Sequence, residues 1–241
     1  MYESVVLGFG LILFFLSWIS PLAYGRFHDV FDLPFKLLNN RLYITASNLP
    51  ALVSIIVYTI DKEVTNLGAI LYGFIVSHFV LRTIIVPLII SQMYTSDTKT
   101  VSLIVPLVTG TYNAFVGISL AHMCVAIDDA IDSSWLNIPI LIGAGVCLCL
   151  NIYYDLRVNY LRCYDEGCDP KDSYLTVEDL EKEFDLLFAL GVSSPNYFFE
   201  MIEWSLIALV SWHTESIAYM ISTILILWGR ALNIDRWLSN K

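Results

Sequence analysis

Apolar runs of about twenty residues, broken by short polar stretches, recur along this chain. They fall at about 4–24, 42–60, 68–92, 101–126, 135–155, 195–213 and 216–234. A helix rises 1.5 Å per residue, so ~20 apolar residues cross a hydrocarbon layer ~30 Å thick. The pattern predicts an all-α integral membrane protein, a bundle of seven transmembrane helices forming one domain over 1–241. The first run, Val5 to Tyr24, lacks a basic leader and a small-residue cleavage site, so it reads as a retained span.

The polar breaks orient this bundle. Eleven of the thirteen Lys and Arg fall after the first, third and fifth runs or at the C-terminus. Lys62 alone lies on the other side, and Arg82 lies inside a run. Basic residues stay on the cytosolic side of a membrane. The N-terminus is therefore expected to be lumenal and the C-terminus cytosolic. An even number of spans would spoil the separation.

Composition agrees. The chain is 57% hydrophobic and 15% charged, whereas soluble domains are about 25% charged. A net charge of −10 argues against nucleic-acid partners. The one long soluble stretch, expected as a cytosolic loop at 157–194, starts basic and turns acidic. In it Leu180, Phe184, Leu187 and Phe188 form an apolar stripe at helical spacing, preceded by a capping pattern at Thr176 and Asp179. An amphipathic helix on the bilayer or bundle is expected, with a partner-docking helix as the alternative. No second Cys or His pair accompanies Cys163 and Cys168, so no metal site is expected and all five cysteines read as free thiols.

Three polar constellations interrupt the apolar runs. His78 and Arg82 lie one turn apart on one face of the third. An ionisable group at membrane depth costs at least ~2.5 kcal/mol and marks a site by default. A lone membrane histidine is more often a packing residue. Asn151, Asp155 and Arg162, at spacings of four and seven, share a face at the end of the fifth run. They read equally as a ligand-flanking set or as a helix-end charge cluster. Asn196, Glu200 and Glu203 repeat those spacings at the start of the sixth. Capping by Pro195 and helix-start acids explains part of this, but Glu203 is deep and needs a donor, with Arg82 and Arg162 the available cations. His122 and His213 read as interfacial residues with no partner set. No G-x-G-x-x-G, P-loop or H-E-x-x-H is present.

Three segments together resemble the steroid 5α-reductase family. Ser77 to Thr83 is similar to that family's H-Y-F-H-R-T segment. Asn151 to Asp155 with Leu161-Arg162 is similar to N-x-x-S-D…L-R, and Ser194 to Trp204 to A-N-Y-x-G-E-I-x-E-W. Weaker matches occur at Tyr24-Gly25-Arg26, Leu49-Pro50 and Arg230-Ala231…Arg236-Trp237. The resemblance implies NADPH as hydride donor, a 3-oxo-Δ4 steroid or related lipid enone as substrate, and the endoplasmic reticulum membrane as location. It assigns Arg82, Asn151, Asp155, Arg162, Asn196 and Glu200 to the cofactor. It also assigns two catalytic positions, occupied here by Asn48 and Phe79 where the family has Glu and Tyr. His78 and Tyr43 are then the candidate proton donors. The partners expected are a lipophilic small molecule and membrane lipids, with no nucleic acid, and protein partners are left open. A non-catalytic descendant that binds a lipid or acts as a scaffold is the second reading. A transporter or channel is less favoured, because no repeat symmetry is visible.

A labelling probe fixes the orientation. A single cysteine placed at Ser173 in an otherwise cysteine-free chain should react only from the cytosolic side of sealed vesicles. Reaction from the lumen rules the seven-span topology out.

Overall fold

Lipid offers a backbone no hydrogen-bond partners, so apolar runs that cross it must pair internally. In the computed structural model of this chain, residues 2–19, 36–93, 100–127, 137–164, 184, 187 and 192–239 are described. The helices are α1 (Tyr2–Ile19), α2 (Asn40–Thr59), α3 (Asn66–Val80), α4 (Val86–Met93), α5 (Ile104–Ala126), α6 (Asn137–Tyr164), α7 (Pro195–Ser211) and α8 (Thr214–Ser239). A π-helical turn, Leu81–Ile85, joins α3 to α4, so these segments make seven rods. Asn66–Gln92, Ile104–Ala126, Asn137–Leu161 and Thr214–Ile234 are long and apolar enough to cross a membrane, and Tyr2–Phe15 and Tyr43–Thr59 are shorter apolar helices. The chain is a helical membrane protein. Its outer faces fit that solvent: Val57, Leu107, Ile142 and Trp228 are all more than half exposed.

Several boundaries differ from the sequence reading. Helix α6 runs nine residues past the expected end at 155, so Arg157 and Arg162 are helical. Helix α8 carries Arg230, counted with the C-terminal basic residues, inside the membrane-length stretch Thr214–Ile234, as the expected run 216–234 implies. Two short strands were not anticipated. Strand β1 (Lys36–Asn39) pairs antiparallel with β2 (Thr100–Ser102), tying together the starts of α2 and α5. Most of the acidic 157–194 stretch lies outside the described residues. Of its apolar stripe, Phe184 is buried, with its ring 5.3 Å from that of Tyr154. Cys124, Cys147 and Cys149 are free; Cys163 and Cys168 fall outside the described side chains.

The most extensive packing is between α2 and α5. A Cβ on Gly117 would stand 2.4 Å from the Ala51 carbonyl oxygen, and one on Gly110 3.2 Å from Pro50 Cγ. Small residues let helix backbones approach in lipid, where dispersion and polar contacts replace the hydrophobic drive. Around this seam Ile55, Leu71, Ile75, Val116, Leu120, Trp204 and Ile207 form the dry centre. Helix α3 starts at Thr65, whose hydroxyl accepts the Gly68 N–H. Helix α7 starts with Pro195 in its first turn and stops at Trp212, a bulky residue in the left-handed region at φ 44°. The Ser211 and Ser216 hydroxyls, 2.6 Å apart, tie the resulting corner into α8.

Gly117→Leu should therefore destabilise the bundle by at least the ~1–3 kcal/mol typical of overpacking, read as a lower midpoint of thermal unfolding in detergent. Gly73→Ala, where the new Cβ meets nothing within 4 Å, should leave the midpoint unchanged or higher.

Candidate functional site

The site begins with a proline. Pro87 has no N–H to offer the Thr83 carbonyl four residues earlier. That carbonyl instead accepts the Thr45 hydroxyl of α2 at 3.0 Å. The rod loosens over this stretch into the π turn, which carries Arg82. Single π turns inside α-helices occur often at functional sites.

Arg82 reaches from the π turn to two other helices. Its Nη1 donates to Asp155 Oδ2 at 2.8 Å, and its Nη2 donates to Asn151 Oδ1 at 3.3 Å and to Glu200 Oε2. Asn151 and Asp155 come from α6 one turn apart, Glu200 from α7. The i, i+4 spacing legible in the sequence aims these groups at one guanidinium. All three charged side chains are mostly buried, with 18%, 22% and 13% exposure for Arg82, Asp155 and Glu200. Asn151 is fully buried, and its Nδ2 has no hydrogen-bond partner among the described residues.

Directly beside this cluster, His78 Nδ1 lies 2.6 Å from Glu203 Oε1. His78 is 2% exposed and Glu203 0%. Glu203 was expected to meet Arg82 or Arg162, but its partner is this imidazole. The reason is register: Glu203 follows Glu200 by three residues, which sets it on the next turn of α7, level with His78 rather than Arg82. The second Glu203 oxygen and the Trp204 indole N–H have no described partner. Aromatic rings enclose the pair, with Trp204 centred 4.9 Å and Phe79 5.3 Å from the His78 ring. Tyr219 closes the other edge of Trp204 at 4.5 Å.

The remaining expected positions are more scattered. Asn196 is half-buried one turn before Glu200 and is not among the described partners of Arg82. Arg162 is on α6, seven residues beyond Asp155, and its side chain lies outside the described residues. Phe79 is buried in the aromatic shell. Asn48 sits on α2 in the seam with α5, where it accepts from Asn113 Nδ2 at 3.2 Å. Tyr43, a turn and a half earlier on α2, is half-buried.

His122 and His213, expected to have no partner set, do have one. His122 Nδ1 lies 2.8 Å from Glu215 Oε1, and His213 Nδ1 meets Glu215 Oε2. The rings of Tyr2 and Tyr58 lie 6.3 Å from that of His122. This cluster closes the end of the bundle opposite the α4–α6 end. His213 and Glu215 are only two residues apart, the one local signal that was available; His122 is too distant in sequence to be linked to them.

Comparison with known families agrees with the resemblance read from the motifs. Residues 183–241 match the family model of 3-oxo-5-alpha-steroid 4-dehydrogenase. That segment holds α7 and α8, with Glu200, Glu203 and Arg230, and is the last quarter of the chain. The match is consistent with a divergent member of the steroid 5α-reductase family. No curated protein matches the chain. Fold and match together define a membrane protein similar to steroid reductases.

The buried His78–Glu203 pair can be tested by stability. Removing one member of a buried pair leaves an uncompensated group and costs ~3–5 kcal/mol, whereas an apolar replacement of both is often near neutral. His78→Leu should lower the unfolding midpoint sharply, and His78→Leu with Glu203→Leu should recover most of the loss.

Proposed function

We propose that this chain is a membrane-embedded, NADPH-dependent reductase of a conjugated C=C bond in a 3-oxo-Δ4 steroid or related lipid enone. The observation that carries this reading is the Arg82 cluster. Three helices bring Arg82, Asn151, Asp155 and Glu200 into hydrogen-bond contact, and these are positions the family resemblance assigns to the cofactor. NADPH, when bound, supplies the hydride that adds to the β-carbon of the enone.

The donor set suits part of that cofactor. Asn151 holds an unpartnered Nδ2 donor in a buried place. Asp155 and Glu200 offer carboxylate oxygens suited to ribose hydroxyls and a carboxamide N–H. Arg82 is already flanked by two carboxylates, so it orients these acceptors more than it stands open for phosphate. Arg162 and Asn196 complete the proposed set. On this reading the cofactor approaches from the cytosolic side, where the distribution of Lys and Arg puts the end of α6.

Negative charge gathers on the substrate carbonyl oxygen as the reaction proceeds and must be met by positioned donors. Asn48 can donate through its amide, and Phe79 offers nothing. The proton is then drawn from elsewhere. His78 keeps Nδ1 on Glu203, which leaves Nε2 as the nitrogen free to face a substrate. Tyr43 is the other candidate donor. Turnover on ordinary 3-oxo-Δ4 steroids is accordingly slow.

The second reading is a catalytically silent relative that binds a lipid or serves as a scaffold. What favours it is the replacement of both family acids by Asn48 and Phe79, neither of which transfers a proton readily.

The deciding experiment is a cofactor titration of purified protein, NADPH against NADH, with Arg82→Met as control. The reductase reading expects saturable NADPH binding that Arg82→Met weakens at least tenfold. It also expects the Asn48→Glu, Phe79→Tyr double variant to raise steroid turnover toward the ~10²–10⁴ that a positioned acid contributes, with each single change doing less. Absence of binding in both wild type and double variant would establish the silent reading.

A further inference from the structure

We infer that Asn113 is a positioning residue that makes Asn48 a one-way hydrogen-bond donor, so that position 48 selects a ketone over the corresponding alcohol. The inference rests on the proposed ligand role of position 48, and its test separates the two.

An asparagine amide presents two different ends, an oxygen that accepts and an NH₂ that donates, and shape alone does not say which faces where. Here a fixed reference exists. Asn113 Nδ2 lies 2.7 Å from the backbone carbonyl oxygen of Ser47. A backbone carbonyl can only accept, so Asn113 must turn its NH₂ toward α2. The same NH₂ lies 3.2 Å from the Asn48 side chain. Its second hydrogen requires an acceptor there, which fixes Asn48 with Oδ1 toward Asn113 and Nδ2 turned away. One unambiguous contact thus propagates through two amides.

The seam holds this arrangement firmly. Gly117 and Gly110 bring α5 against α2 on either side of Asn113. One turn before Asn113, the Thr109 hydroxyl lies 3.0 Å from that of Ser47. Asn48 itself is half-buried and has no other hydrogen-bond partner among the described residues. Its NH₂ is therefore the end left for a ligand. A donor fixed in a dry place satisfies a ketone oxygen. An alcohol there brings a proton with nothing to receive it, and an unmet polar group in such a place is penalised.

The test uses full-length protein in nanodiscs and two radiolabelled probes, a 3-oxo-Δ4 steroid and its 3-hydroxy-Δ4 counterpart. The readout is the ratio of their dissociation constants. Wild type should prefer the ketone by about tenfold. Asn113→Asp cannot donate, so the Asn48 NH₂ turns inward and the preference should vanish or invert. Asn48→Asp keeps both Asn113 bonds while presenting only acceptors outward, and should invert the preference too. It decides the matter if Asn113→Asp does not fold. Asn113→Ala frees the amide to rotate and should flatten the ratio without inverting it. A purely structural role for Asn113 would weaken both probes alike. Folded Asn113→Asp and Asn48→Asp variants that keep the wild-type ratio overturn the inference and leave the reductase reading standing. Wild type that binds neither probe overturns the ligand role of position 48 and the inference with it.

Discussion

A guanidinium held between two carboxylates at membrane depth governs this molecule. Stripping an arginine of water is costly, and so is stripping Asp155 and Glu200. Each is tolerable only because the others are in place. Arg82 projects from the third rod, Asp155 from α6 and Glu200 from α7, so the requirement for mutual neutralisation fixes the relative height of three rods. Their apolar flanks would otherwise slide, since lipid is as apolar as any Leu or Ile they carry. His78 and Glu203 repeat the device one turn away. The result is a polar spine inside an apolar bundle.

The other half of the bundle solves the same problem without charge. Helices α2 and α5 approach until backbone meets backbone at Gly117. Two prolines then matter more than in a water-soluble helix. Pro50 leaves the Ala46 carbonyl without its intrahelical donor, and Pro87 does the same to Thr83. In hydrocarbon an orphan carbonyl is not rescued by solvent, so a neighbouring side chain must serve. Thr45 does so for Thr83. Hydrogen bonds from side chain to backbone thus knit α2 both to the π turn and, through Asn113, to α5.

Much of this was legible in the sequence, and the reasons are local. Apolar runs announce rods because every rod must clothe its own backbone. Asn151 with Asp155, and His78 with Arg82, could be placed on common faces because the helix repeat dictates it. Pairing between rods was not legible. Glu203 could have met Arg82 or Arg162, and only the relative height of α3 and α7 gives it His78. The β1–β2 pairing joins residues far apart in sequence, with no alternating pattern in four residues to betray it. His122 looked like an isolated polar residue, because its partner lies 93 positions away, and Asn113, 65 positions from its own, gave no signal. Sequence periodicity reports which side of a rod a residue occupies; it is silent about what stands opposite.

A π turn is an α-helix that has accepted one residue too many. Ahead of Arg82 the rod's inward stripe, Leu71, Ile75 and Phe79, belongs to a helix packed on α2 and α5; beyond it Val86 and Ile90 face inward from a helix packed on α2 and α6. Numbered along an ideal helix, these residues would form one straight stripe. The surplus residue swings the stripe by up to ~100°, so a single rod passes its apolar edge from one neighbour to another. At the point of handover Arg82 turns to α6, where it meets Asn151 and Asp155. In this sense the polar cluster is where a screw axis slips its thread.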